Sequence, residues 1–196
     1  MGIRIRIEPD RAKLAELDRR VGLLGNPSTF GKVYGVAANR AVRDGKSEAS
    51  KKIREVYTIS PARKVNATIT TRSFRDGAKV EISDSPQPLR YFKVSPKSPP
   101  KRKRRGVTVQ VRNDSSGNKI DDWFVPSGLP VVGVFSRSAG TSGRASAGSN
   151  PKAIRQRYGP GAANMAKDEE IVEAVEERMT NVFNSELESA VDRILG

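Results

Sequence analysis

Three short stretches of this 196-residue chain carry residue types that could do chemistry. Lys101, Arg102, Lys103, Arg104 and Arg105 stand in a row between two prolines and the alternating run "GVTVQV". Asp121 and Asp122 directly precede Trp123, the single tryptophan. "GKSEASKK" (45–52) carries the Gly-Lys-Ser of a phosphate-binding loop. The basic run can neutralise several phosphates, and each such contact steepens the salt dependence of binding by about 0.9 in log–log slope. No aromatic residue interleaves it, so base stacking is not indicated and it would read backbone charge, not sequence. It also has the composition of a nuclear localisation signal and of a solvated hairpin tip. Adjacent aspartates on a strand point to opposite faces and chelate one ion poorly. A phosphate-binding loop needs glycine at position 40, where Arg40 stands.

Histidine and cysteine are both absent. The chain therefore lacks the commonest general base and metal ligand, and it can form neither a disulfide nor a thiolate site. The expectation is a protein that is not an enzyme and uses no metal or cofactor. Trp123 then reads as a core or interface aromatic.

The net charge of +14 suits a polyanionic neighbour: nucleic acid, an acidic protein or anionic lipid. The charge is uneven. Residues 167–196 hold 9 acidic and 3 basic side chains, while the first 166 carry 33 basic and 13 acidic ones. Two readings stay open: the acidic segment covers basic surface of its own chain, or it meets a second subunit head to tail. Hydrophobic residues make up 36%, a low share that suits arms ordered by neighbours. No run approaches the roughly 18 apolar residues of a membrane span. "MGIRIRIEPD" lacks the apolar block of a signal peptide, and Ile7 stands where a myristoylation signal needs Ser or Thr. A soluble protein made in a reducing compartment is expected, with no membrane partner.

These groups must be held by elements that the periodicity predicts. "GIRIRIE" alternates as a half-buried strand. "PDRAKLAELDRRVGLLG" predicts a helix with Leu14, Leu17, Val21 and Leu24 on one stripe, stopped by Gly25-Asn26-Pro27. A second helix, capped by Ser28 or Thr29, extends to residue 57, with Gly45 as a break or kink and Ala37, Ala38 and Ala41 allowing close approach. Ser60-Pro61 opens a short helical turn. From 68 to 137 the period becomes two, with strands at 78–83, 89–94, 107–112, 122–126 and 131–137, and the basic run on a hairpin arm at 95–106. Residues 138–160 predict a flexible Gly/Ser loop ending in a forced turn at Gly159-Pro160-Gly161. An amphipathic helix of about 28 residues, from about 166 to 194, closes the chain within the 161–196 segment. The expected fold is α+β in a single domain: an N-terminal strand and helices (1–57), an antiparallel sheet or small barrel-like β region (68–137), and a long C-terminal helix.

Taken together, "AANRAV" (37–42), the strand region carrying "KRKRR", "VVGVFSR" (131–137) with "YGPGAANM" (158–165), and the terminal amphipathic helix make residues 30–196 resemble the minor tail protein Z family of long-tailed phages and prophages, the lambda-type tail-completion proteins. The resemblance implies a structural virion protein without catalytic residues, at the head-proximal end of the tail and assembled in the host cytoplasm. It implies a ring, expected as a hexamer, beside the tail terminator, tail-tube and connector proteins, preparing the tail for head joining and DNA passage. Lys101 to Arg105 would then face genome DNA or an acidic neighbour, and Val175, Met179, Phe183 and Trp123 are expected at the subunit interface. Two competing readings are a free, sequence-nonspecific nucleic-acid-binding protein and a small nucleic-acid enzyme using Asp121 or Asp122.

Overall fold

The computed structural model describes residues 2–7, 11–22, 27–74, 77–100, 106–127, 133–137 and 154–195. The protein is α+β, with all described strand pairings antiparallel and a long C-terminal helix. The chain divides into two compact units: residues 1–53, 62–84 and 162–196 form the first, and 54–61 with 85–161 the second.

The first unit contains β1 (Ile3–Ile7), α1 (Arg11–Gly22), α2 (Pro27–Val56, all but its last turn), α3 (Ala62–Asn66), β2 (Ile69–Phe74), β3 (Gly77–Ile82), α4 (Ala162–Met165) and α5 (Glu169–Leu195). Its sheet runs β1-β3-β2, with Ile5 opposite Val80 and Ile3 and Ile69 both opposite Ile82. Because side chains alternate across a strand, one sheet face carries Ile5, Ile7, Val80 and Ile82, all buried. The other carries Arg4, Arg6, Thr70, Arg72, Lys79 and Glu81. β2 was not expected as a strand. Its Thr-rich run "ITTRSF" has no apolar alternation, yet β-branched threonines suit a pleated surface. Its pairing with β3 also places the segment that opens the expected β region of 68–137 in the same sheet as β1.

α2 runs without interruption through Gly45, so the helix does not break there. A Cβ at Gly45 would lie 2.3 Å from Met179 Cγ and 3.4 Å from Val80 Cγ2. The glycine therefore costs helix propensity and gains close approach of α5 and the sheet. Ala37, Ala38 and Ala41 are fully or almost fully buried, as their size suggests. α5 buries Ile171, Val175, Met179, Phe183, Leu187 and Val191, one every four residues. The expected terminal helix is α5, which begins at Glu169, and the short α4 ending at Met165 precedes it.

The second unit is built from short strands. β4 (Pro86–Pro88) pairs with β11 (Tyr158–Gly161). β5 (Lys93–Ser95), β6 (Val107–Gln110) and β7 (Asn118–Ile120) form one sheet; β8 (Trp123–Phe124), β9 (Phe135–Arg137) and β10 (Ile154–Gln156) form another. Leu89, Phe92, Val94, Val107, Val109, Val125, Val134 and Phe135 fill its interior. Thr58 ties the 54–61 segment to this body: its Oγ1 donates to the Gln110 carbonyl at 2.6 Å and accepts from the Lys93 amide at 3.1 Å. Two expectations change here. Residues 154–156 and 158–161 are strands rather than the end of a flexible loop, and 138–153 lie outside the described residues. Gly159-Pro160-Gly161 is a bulged strand and not a turn; a Cβ at Gly159 would lie 2.6 Å from the Phe92 ring, so only glycine lets β11 lie against that ring.

Candidate polyanion-binding surface

The second unit holds 16 basic and 4 acidic residues, a net +12, while the first holds 20 and 18, a net +2. Nearly all of the chain's excess charge therefore belongs to a small β body. Within it, β5 and β6 pair antiparallel with Ser95 opposite Thr108, so the basic run belongs to the connection of a hairpin. The run itself, Lys101 to Arg105, lies outside the described residues.

Within this unit the fold lays arginines over aromatic rings. Arg90 lies 4.9 Å from the Tyr91 ring centroid, Arg112 5.4 Å from that of Tyr57, and Arg157 5.5 Å from that of Trp123. The Arg157 Nε also donates to Ser136 Oγ at 2.7 Å. β8 sets Trp123 opposite Ser136, and β10 sets Arg155 opposite the same serine, so tryptophan and arginine share one sheet face. Each exposed cation–π contact contributes about 0.5–1 kcal/mol. Hydrogen bonds fix these guanidiniums further: Arg90 Nη2 donates to the Tyr91 hydroxyl at 3.0 Å, and Arg112 Nε meets the Asp114 carboxylate at 3.2 Å. Tyr158 stands beside this group, 53% exposed, its hydroxyl 3.2 Å from Gln156 Oε1.

The structure separates the expected site residues. Trp123 is half-buried in the second unit and covered by Arg157. Val175 and Met179 are 0% exposed and Phe183 2%, all within the first unit. Phe183 meets Tyr34 edge to face with centroids 5.2 Å apart, and Met179 fills the space opened by Gly45. These three are therefore core residues of their own chain and not subunit-interface residues. A four-residue apolar spacing marks a buried stripe without saying what buries it. Asp121 and Asp122 lie in an exposed turn, with Asp121 2.9 Å from Lys119 Nζ. Among the described residues, no group of three or more His, Cys, Asp or Glu side chains could hold a metal ion.

The second half of the acidic helix is matched within its own unit. Arg40 reaches Glu186 at 3.2 Å, Arg20 reaches Asp192 at 3.7 Å, and Lys13 pairs with Glu188. Arg178 of α5 returns to Asp44 of α2 at 2.8 Å. No described helix is long and apolar enough to cross a membrane. No family model matches the chain, and neither a curated protein nor a solved structure matches it.

Proposed function

We propose that this chain is a non-enzymatic structural subunit of a long-tailed phage virion, a tail-completion or minor tail protein at the head-proximal end of the tail. In this reading it forms a ring with the tail terminator, beside tail-tube and connector proteins, and presents its basic unit to passing DNA or to an acidic neighbour. The resemblance of residues 30–196 to the tail protein Z family supplies the setting. The observation that carries the role is the partition of charge: +12 on one small β unit whose hairpin connection holds five consecutive cations. Such a surface reads phosphate charge without sequence, which suits a passage that must accept any genome. The absence of His and Cys from the sequence argues for positioning and charge over catalysis.

The same charge favours a second reading, a free nucleic-acid-binding protein. Quantitative mass spectrometry of purified particles from the strain that encodes the chain separates the two. A fixed copy number of a few to about a dozen per particle is expected for a ring. Absence from intact, infectious particles would overturn the virion reading and leave the free binder.

A further inference from the structure

The first unit is nearly neutral in sum and strongly divided in space. Among the described residues, the outer face of its β1-β3-β2 sheet carries Arg4, Arg6, Arg72 and Lys79 with the carboxylate of Glu81. The Arg4 and Arg72 side chains are 76% and 66% exposed. Phe74, at the rim of the same face, is also exposed, with Lys79 Nζ 5.2 Å from its ring centroid. The face thus has a cationic excess and an apolar rim.

α5 shows the opposite sign. Its second-half acids are paired to α1 and α2, as described above. Its first half presents Glu169, Glu170, Glu173, Glu176 and Glu177, all exposed and, among the described residues, with no ion pair. Glu169, Glu173 and Glu177 lie opposite the buried stripe of Ile171, Val175 and Met179. That stripe and the inner sheet face enter one core, since Met179 and Val80 both meet Gly45. The basic sheet face and the acidic helix face therefore point away from a shared core. Within one chain they cannot meet, but between two chains they can.

We propose that the outer face of the β1-β3-β2 sheet is the docking surface for the acidic first half of α5 of a second copy of this chain. The contact is heterologous, head to tail, and repeats until the rotation closes a ring. Opposite potentials on the two faces orient the approach and fix which surfaces meet. The inference rests on the self-association in the reading above and not on its virion setting.

The test uses the full chain and two charge-reversed variants in sedimentation velocity. One is Arg4→Glu/Arg6→Glu/Arg72→Glu, and the other is Glu169→Lys/Glu173→Lys/Glu177→Lys. Wild type is expected to self-associate at 50 mM salt and to weaken at 500 mM, as screening shortens the range of both faces. Each variant alone should associate at least tenfold more weakly than wild type. Their equimolar mixture should regain association, because each wild-type face again has a complement and so do the two reversed faces. Circular dichroism checks the fold, and Gln in place of each reversed residue carries the same single-variant test if reversal unfolds the chain. Wild-type-like association of either variant, a mixture that stays dissociated, or a monomeric wild type at low salt would overturn the proposal. The particle copy number judges the virion reading separately, and a wild-type ring that ignores both substitutions would leave that reading standing.

Discussion

Glu81 is where charge is most concentrated at the level of single residues. Lys79 Nζ lies 2.8 Å from its carboxylate, Arg4 Nε 3.1 Å and Arg72 Nε 3.7 Å. The Lys79 hydrogen bond holds the Glu81 carboxyl below its ordinary 4.5; desolvation opposes this, and the charges of Lys79, Arg72 and Arg4 add to it. A carboxylate whose folded pKa is depressed adds stability that is fully present above its unfolded value and is lost as pH falls through its folded value. The stability gap between wild type and Glu81→Gln is therefore constant above about pH 5 and closes as pH drops below 4.5. Urea unfolding at pH 7 and pH 3 measures it, and an equal gap at both would assign the effect to packing rather than charge. The three cations that meet this carboxylate come from three strands, and their convergence depends on the β1-β3 and β2-β3 registers. Only Lys79, two residues from Glu81 on an expected strand, could be placed from the linear sequence; Arg4 and Arg72 are brought in by the pairing.

At the level of elements, periodicity carried furthest where a stripe was long. The buried face of α5 and the alternating face of β1 stand as predicted because each repeats one period over several turns or pairs. It failed where a segment was short or its role was set by a distant partner. β7 and β8, of three and two residues, are too brief to show a period, and β10 and β11 are strands only through their partners β9 and β4. α2 shows the same limit on a single residue type. Gly31, Gly35 and Gly45 look alike in sequence, but a Cβ meets nothing within 4 Å at the first two and meets Met179 at the third. Alanine in an unobstructed helical position gains about 0.5–1 kcal/mol over glycine. Gly31→Ala and Gly35→Ala should each raise unfolding stability by that amount. Gly45→Ala should lower it by about 1–3 kcal/mol, the usual cost of overpacking a filled core. Chemical denaturation of the three variants checks the signs, and Met179→Ala should cost less in the Gly45→Ala background than in wild type, because the clash it relieves offsets part of its own cavity cost. A stabilising Gly45→Ala would mean that Met179 moves aside freely.

At the level of the whole molecule, charge is sorted by unit and by sign, and the sorting assigns different partners to different cations. The second unit's 16 basic residues outnumber its 4 acidic ones, so its net +12 suits a polyanion. The first unit's cations are offset by α5 and Glu81, and their excess is matched to a protein face. These assignments differ in how duplex DNA affinity should respond to salt. Replacing Lys101, Arg102, Lys103, Arg104 and Arg105 by Gln should reduce the slope of log K against log salt by up to about 4.5, the share of five phosphate contacts. A residual slope should remain from Arg90, Arg112, Arg155 and Arg157, which the fold holds in the same unit. Replacing Arg4, Arg6 and Arg72 by Gln should leave the slope within about 1 of wild type, because those side chains meet protein and not phosphate. Fluorescence anisotropy with a labelled duplex across 50 to 300 mM salt reads all three proteins. If the first-unit variant loses about 2.7 of slope, the share of three phosphate contacts, the sheet face is a DNA surface and the division of roles between the units is wrong.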